Sequence, residues 1–355
     1  MLGQSRTSPI GVDLADDRVQ LTQLRRVSGG GLTLQAFGGW NWSMVPHGAV
    51  DLEDLRKQAE LIAEAIKKGR FVGRRVVVRV PDKLLMMKNV RVPPIPDEDL
   101  FEAAQWEAAE RFQIDPEQSV IRYYDVGEVT QGSETKREII LMAAPTEPLL
   151  ELARSLDGAG LDVASFDPTP TLLTRFQHVI EKHGVSDGED MSAPRLIIQV
   201  SPEHTWVFIS ENGQVVFLRR MEFGAKDFEE AVAPAIKSNQ DDGTYGLRVS
   251  IDRVEAEKVG VKKRVDLAQE VALCLRYYGV TFPGKRPEMA WLIAPETIAR
   301  CVAPSLAERA SVRVMLPHEF DVRLPQLFDA IGQPLASMAS SIGLAMNWPG
   351  GRLAA

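Results

Sequence analysis

The chain has 355 residues, a formal net charge of −8 and a hydrophobic content of 45%. This length and composition are typical of a globular protein with a large core or two lobes. The negative charge argues against a duplex-binding protein, which needs a basic face to neutralise phosphates, so we expect no nucleic-acid partner. Cys274 and Cys301 lie in apolar surroundings outside any CxxC pair, which predicts buried, reduced thiols and a reducing compartment.

No direct membrane span is expected. No window of the sequence approaches the ~20 consecutive apolar residues that a helix needs to cross a bilayer. The segment from Met1 to Pro9 is short and polar, without the apolar region of a secretion signal. We therefore expect a cytoplasmic protein that is peripheral at a membrane only through partners.

The N-terminal elements form a predicted β-meander. Ile10 to Leu14 is a strand, Ala15-Asp16-Asp17 is an acidic turn, Arg18 to Arg26 pairs back, and Leu32 to Phe37 begins a third strand. Hydrophobic periodicity and breaker residues then predict alternating helices and strands. These are a helix from Asp51 to Lys68, a strand from Arg74 to Val80, an extended run from Leu84 to Val92, a helix from Asp97 to Phe112, a hairpin of Val120 to Val129 with Glu138 to Ala144, a helix from Pro148 to Leu156, a strand from Val163 to Phe166 and a helix from Thr171 to His183.

The pattern restarts after Val185 to Pro194, a polar segment with Gly, Ser, Asp and Glu that we interpret as an inter-lobe linker. A second meander, a helical region and a strand–helix–strand unit follow. The predicted elements are strands from Leu196 to Val200, Thr205 to Ser210 and Val215 to Glu222, a helix from Asp227 to Lys237, a helical region from Lys258 to Tyr278, a strand from Met289 to Ala294, a helix from Pro295 to Ala310, a strand from Val312 to Met315 and a closing helix from Leu335 to Met346.

Each half of the chain thus begins with a meander and continues with alternating helices and strands. This duplicated layout is that of the ribonuclease-H-like folds of actin, sugar kinases and the heat-shock ATPases. The sequence therefore predicts an α/β, actin-like fold of two lobes, in which the small residues of the closing helix pack against the first lobe.

Six stretches, in this order along the chain, resemble the PilM family of type IV pilus assembly proteins. The most specific is a proline cluster followed by an acidic helix that carries Trp-Glu-Ala. The stretches are Ile10-Gly11-Val12-Asp13-Leu14, Val90 to Pro96 running into Leu100 to Ala108, Gly158 to Asp167, Glu222 to Phe228, Leu267 to Tyr278 and Ile342 to Met346.

The resemblance implies an actin-like fold with a subdomain inserted in the first lobe. The first lobe would comprise residues 1–82 and 138–188 with the closing helix of 335–350, the insert residues 83–137, and the second lobe residues 189–334. It also implies a place on the cytoplasmic face of the inner membrane, a partner in the cytoplasmic tail of PilN, a single-pass membrane protein, and binding of ATP. Other components of a pilus or secretion platform are implied as partners too.

The first phosphate-binding turn of the family reads Asp-Ile-Gly-Ser/Thr, and only its acidic residue survives here. Asp13 remains and is a candidate magnesium contact if ATP with magnesium binds. Ala15 replaces the glycine, and Asp16 and Asp17 replace the hydroxyl residues. A carboxylate about 4 Å from a phosphate charge costs on the order of 4 kcal/mol at intermediate dielectric, so this turn is expected to repel a triphosphate.

The second and third nucleotide loops also lack residues that bind phosphate in the family. Ser201 stands where the family has glycine, Gln199 where it has Asp, and Pro202 removes a backbone N–H donor. Thr205 is a surviving hydroxyl, and the third loop begins at Ala294 without a glycine. We therefore expect a degenerate nucleotide site, no cofactor, no catalytic residue, and a scaffold rather than an active ATPase.

Partner contacts are predicted on the acidic helix of the insert. Phe101, Trp106 and Phe112 are the candidates because aromatic side chains anchor protein interfaces. For Trp106 two alternatives stay open, since it can fill the core of the insert or line a groove for the tail of the membrane partner.

Three further functions remain as alternatives. One is a nucleotide-binding ATPase of the same fold, with Asp13 and Thr205 as metal and phosphate contacts. Another is a sugar or acetate kinase relative, which would need a catalytic Asp in the cleft. The last is a cytoplasmic component of the GspL type from type II secretion, although proteins of that type continue into a transmembrane helix that this sequence lacks.

Overall fold

The computed structural model describes residues 7–15, 17–27, 31–41, 52–131, 134–183, 193–228, 261–282, 284 and 286–347. Asp16, residues 185–192 of the predicted linker and all but the first two residues of the helix predicted from Asp227 lie outside these ranges. The described strands are β1 Ile10–Leu14, β2 Arg18–Arg26, β3 Leu32–Asn41, β4 Arg75–Arg79, β5 Met86–Val92, β6 Ser119–Gln131, β7 Glu134–Pro145, β8 Asp162–Asp167, β9 Arg195–Val200, β10 Thr205–Glu211, β11 Gln214–Met221, β12 Met289–Ile293 and β13 Arg313–Met315.

The described helices flank these strands. They are α1 Leu52–Lys68, α2 Leu100–Phe112, α3 Thr146–Gly158, α4 Thr169–His183, α5 Val261–Thr281, α6 Glu296–Ala310, α7 Pro317–Arg323, α8 Pro325–Ile331 and α9 Ala339–Ala345, with short 3₁₀ helices at Pro116–Gln118 and Leu335–Met338. None of the helices within the described ranges is both long and apolar enough to cross a bilayer.

Two five-stranded sheets with the same strand order form the frame of the molecule. The first runs β3-β2-β1-β4-β8 and the second β11-β10-β9-β12-β13. In both sheets, the central strand pairs antiparallel with the strand that follows it in the sequence and parallel with a strand that comes after a helix. In the first sheet, Val12 of β1 lies opposite Leu21 of β2 and Val78 of β4. Ile198 repeats this pairing in the second sheet. The predicted duplication of an actin-like fold is confirmed.

The central strands β1 and β9 are buried along their whole length. Apolar side chains on both faces of each strand explain this, because helices or a second layer cover a sheet of this kind on both sides. A polar residue nevertheless lies near the carboxyl end of each strand, Asp13 in β1 and Gln199 in β9. Asp13 and Gln199 therefore lie just before the β1–β2 and β9–β10 turns, which face each other between the lobes.

The closing segment packs closely on the first sheet. The sequence predicted one continuous helix for this segment, whereas in the structure a 3₁₀ helix precedes α9. A Cβ added to Gly11 of β1 would lie 2.2 Å from the Ser341 carbonyl oxygen, and one added to Gly343 would lie 1.9 Å from that of Leu172 in α4. Glycine is therefore required at both positions, since α9 is wedged between β1 and α4.

A separate three-stranded sheet, β5-β7-β6, carries α2 on one face. It runs from Met86 to Pro145, so β7 continues beyond residue 137, where the insert was predicted to end. Asn89 of this sheet donates to the Leu218 carbonyl of the second lobe at 2.6 Å, and Arg91 to the Tyr277 hydroxyl at 2.8 Å. Tyr124 of β6 also forms a hydrogen bond with Thr171 of α4 in the first lobe, so the sheet contacts both lobes.

Candidate functional site

A cavity of 590 Å³ lies between the two lobes, where three loops meet. They are the β1–β2 turn, the β9–β10 turn and the loop between β12 and α6. Four predicted site residues line the cavity, namely Ala15, Asp17, Ser201 and Ala294. The folding of the two sheets thus brings together residues that are far apart in the sequence.

Two other predicted residues point elsewhere. Thr205 is fully buried, and its hydroxyl donates to the Phe223 carbonyl oxygen at 2.9 Å. Asp13 is also fully buried and accepts a hydrogen bond from Arg79 at 3.0 Å. Neither residue lines the cavity, and Asp16 lies outside the described residues.

Arg79, the last residue of β4, lies between two buried carboxylates. One terminal nitrogen of its guanidinium donates to Asp13 Oδ1, and the other forms a short contact with Asp82 Oδ2. Its Nε donates to the Thr169 hydroxyl at 3.1 Å, and that hydroxyl donates to Asp82 Oδ1 at 2.7 Å. Charge-assisted bonds of this kind are strong, so the guanidinium occupies the space between the carboxylates.

His204 extends this group across the cleft from the second lobe. Its Nε2 lies 2.9 Å from Asp82 Oδ2, and both side chains are buried. Burial by itself raises the pKa of Asp82, but the charge of Arg79 and the hydrogen bonds of His204 and Thr169 outweigh it, so the pKa lies well below its ordinary value. Asp82 is therefore ionised, and His204 Nε2 must carry the proton that it donates. We call Asp13, Arg79, Asp82 and His204 the buried charge cluster.

The backbone of the two turns is engaged within the turns themselves. The Ala15 N–H donates to the Arg18 carbonyl at 3.0 Å, and the Ser201 N–H donates to the His204 carbonyl at 2.9 Å. Pro202 has no N–H. These donors are consequently directed at protein acceptors and not at the cavity.

A glycine behind the second turn was not identified as a site residue from the sequence. A Cβ added to Gly224 would lie 2.3 Å from the Ser201 carbonyl oxygen and 2.6 Å from the His204 nitrogen. The Ser201 carbonyl accepts from the Ala225 N–H at 2.8 Å. Gly224 therefore lets the chain after β11 support the second turn from behind.

The cations at the rim of the cavity are paired with neighbouring carboxylates. Arg18 lies 3.6 Å from Asp17, and Lys226 lies 3.1 Å from Glu203. At the far end of the cavity, Glu296 pairs with Arg300 at 2.7 Å and with His318 at 3.1 Å. These pairs reduce the positive potential that an anionic ligand would meet.

Three buried acceptors next to the cleft have no hydrogen-bond partner among the described residues. They are Asp13 Oδ2, Asp17 Oδ1 and Gln199 Oε1. An unsatisfied buried acceptor is unfavourable by about 1–3 kcal/mol, and a bound water or small cation satisfies such atoms in proteins. These unsatisfied acceptors are the feature of the cleft that suits a bound ligand.

On α2, the three predicted partner residues do not share a surface. Trp106 is 71% exposed, so it does not fill the core of the insert. Phe112 packs against that core and Phe101 is partly exposed. Since successive helical residues are about 100° apart, Phe101 and Phe112 lie on one side of α2, and Trp106 is about 140° away from Phe101.

Comparison with known proteins gives a consistent result. A family model for the type IV pilus assembly protein PilM matches residues 11–278. No curated protein matches the sequence at a significant level. A solved PilM-PilN type IV pilus biogenesis complex is 21% identical with a TM-score of 0.66, over 96% of this chain and 98% of that chain.

Other solved structures are more distant. The ethanolamine utilization protein EutJ from Carboxydothermus hydrogenoformans is 12% identical with a TM-score of 0.52, over 96% of this chain and 90% of that one. The cytoplasmic domain of EpsL, an inner membrane component of the Vibrio cholerae type II secretion system, is 13% identical with a TM-score of 0.39, over 81% and 82% of the chains. The first two likenesses show the fold, and the third is too weak to bear on the type II secretion alternative.

Proposed function

Because the chain belongs to the PilM family of type IV pilus assembly proteins, we propose that it is an adaptor in the inner-membrane platform of a type IV pilus or related secretion system. It acts on the cytoplasmic side and is held at the membrane through protein partners. Its partner is the cytoplasmic tail of a PilN-like single-pass membrane protein. The likeness of the fold to the protein in the solved PilM-PilN complex supports this choice of partner.

The proposal includes a degenerate nucleotide site. The cleft residues do not fit a magnesium–triphosphate group, and the position of Arg79 is the observation that carries this point. Its guanidinium lies between Asp13 and Asp82, where a divalent cation would need the same carboxylates. The inward hydrogen bonds of Ala15 and Ser201 support the same conclusion, because they leave few N–H groups for phosphate oxygens. The protein then works as a scaffold whose lobes are joined without nucleotide.

Binding of the tail tests the adaptor function. The probe is a fluorescent peptide that covers the cytoplasmic tail of the PilN-like protein from the same organism. We expect saturable binding to the full chain by fluorescence anisotropy, and a peptide of the same composition in scrambled order as the control should bind at least about tenfold more weakly, a difference of about 1.4 kcal/mol. Equal binding of the two peptides would contradict the adaptor function.

A nucleotide-binding ATPase of the same fold is the second candidate function. The unsatisfied Asp13 Oδ2 and Gln199 Oε1 favour it, since buried acceptors of this kind suit a hydrated cation. Calorimetric titration with ATP and magnesium separates the candidates. The scaffold predicts no binding heat, whereas micromolar binding that is lost in Asp13→Ala would establish the ATPase alternative.

A further inference from the structure

The α2 helix has one covered face and one open face. Leu100, Ala104 and Ala108 are buried against the three-stranded sheet. Trp106 lies on the opposite side and is 71% exposed. A tryptophan this exposed contributes little to the core of the insert, although it is the side-chain type most often found at the centre of protein interfaces.

Carboxylates surround Trp106 on its own face. Helical residues three, four and seven positions apart lie on one side, which places Asp99, Glu102 and Glu110 around the indole. All three are exposed. None of them forms an ion pair with a described residue, and Arg111 of the same helix pairs with Glu107 instead. We call Asp99, Glu102, Trp106 and Glu110 the α2 acidic face.

Asp99 is also not used in capping the helix. It occupies the N-cap position of α2, yet its side chain accepts no capping hydrogen bond. Its carboxylate is therefore available to a partner. An aromatic ring between carboxylates that form no ion pair with a described residue is complementary to a guanidinium or ammonium group, which stacks on the ring while the carboxylates neutralise its charge.

We propose that the α2 acidic face binds a basic juxtamembrane segment of the membrane partner's cytoplasmic tail. This inference rests on the proposed adaptor function and adds the surface and the chemistry of the contact. Cytoplasmic segments next to a membrane span carry an excess of Lys and Arg. A single-pass partner is thus expected to carry a basic segment that is complementary in charge to the α2 acidic face. The same carboxylates disfavour nucleic acid and anionic lipid, since both would place negative charge against negative charge.

The test compares two pairs of charge-neutralising substitutions in the full chain. Glu102→Gln with Glu110→Gln alters the α2 acidic face. Glu60→Gln with Glu128→Gln alters the net charge equally at exposed positions on α1 and β6. Trp106→Ala is the third variant. The probe is the tail peptide with its juxtamembrane residues, and a second peptide has the juxtamembrane Lys and Arg replaced by Gln.

We expect the α2 pair and Trp106→Ala each to weaken binding of the basic peptide about tenfold, as loss of an interface anchor does. The α1/β6 control pair should stay within about twofold of wild type, as exposed charges outside an interface do. The Gln-substituted peptide should bind about tenfold more weakly to wild type, and the α2 pair should then have no further effect, because the interacting charges are already gone. Thermal unfolding of each variant near the wild-type temperature shows that the fold is intact.

The outcomes separate this inference from the adaptor function. Tight binding of the basic peptide that is unchanged in the α2 variants would overturn the acidic face as the docking site and leave the adaptor function standing. Equal loss in the α1/β6 pair would also overturn it, because net charge alone would then explain the effect. Failure of the basic peptide to bind wild type would overturn both proposals.

Discussion

The buried charge cluster and the α2 acidic face use carboxylates in opposite ways. Asp13 and Asp82 lie within the protein and share a guanidinium from the same chain. On α2, Glu102 and Glu110 lie at the surface without an ion pair among the described residues. The buried carboxylates are engaged by a cation of the same chain, whereas the exposed carboxylates of α2 remain accessible to the partner that we propose.

The comparison also bears on the degenerate nucleotide site that we propose. In such a fold, a bound nucleotide with its cation joins the two lobes through the turns on either side of the cleft. Here Arg79 supplies the positive charge, and His204 crosses from the second turn to Asp82. A side-chain contact thus joins the two lobes in the cleft, as the proposed scaffold requires.

Removal of the shared guanidinium is expected to have the largest effect. Arg79→Met leaves two buried carboxylates without their cation, and breaking a buried ion pair from one side lowers the free energy of unfolding by about 3–5 kcal/mol. Urea denaturation followed by circular dichroism measures the loss. The matched control is Arg56→Met, which removes an Arg–Glu151 pair at the surface and should leave the free energy of unfolding near its wild-type value. Equal midpoints for the two variants would contradict the role of Arg79.

Gly224→Ala should have the next largest effect, because it disturbs the second turn from behind. The added Cβ would contact backbone atoms of Ser201, Pro202 and His204 within 2.6 Å, so the turn must shift, at about 1–3 kcal/mol for overpacking. Gly158→Ala in α3 is the control, since its Cβ meets nothing within 4 Å and should be neutral or slightly stabilising. A Gly224→Ala variant as stable as Gly158→Ala would show that the second turn is not held in place by this contact.

The charge of Asp82 should make part of the stability depend on pH. The pKa of Asp82 is lowered in the folded protein, so its ionised form stabilises the fold above the unfolded pKa of about 4, and this contribution is lost as the pH falls below that value. Asp82→Asn should be less stable than wild type by about 1.5 kcal/mol at neutral pH, the usual effect of a hydrogen bond to a charged group. The difference should shrink between pH 5 and pH 3, as checked by urea denaturation across roughly that range. A constant difference would mean that Asp82 is not ionised in the fold.

Much of the fold was predictable because its signals are local. Short sequence patterns predict several elements directly. They include valine-rich strands such as β4, the turns between strands and the closing segment of small residues. The short helices α7 and α8 were not predicted. They are each seven residues long, and two turns of helix give too little periodicity to recognise in a sequence.

The site was predictable only in part, for a physical reason. The changes at Ala15, Ser201 and Ala294 are visible as substitutions in turns. The pairing of Arg79 with Asp13 joins residues 66 positions apart, and that of His204 with Asp82 joins residues 122 apart. Nothing local specifies such contacts, although a charged residue at the end of the buried strand β4 indicates that a buried partner must exist.

The smallest effect on stability is expected for substitutions in the α2 acidic face. They give the most direct comparison with the buried charge cluster. Glu102→Gln with Glu110→Gln removes two carboxylates, as many as the buried charge cluster contains, yet exposed substitutions of this kind change the free energy of unfolding by less than about 0.5 kcal/mol. Urea denaturation of the same protein sample used for peptide binding gives both quantities. A clear loss of stability would show that the face is part of the folded core of the insert, whereas unchanged stability with weakened tail binding shows charge that is kept for a partner.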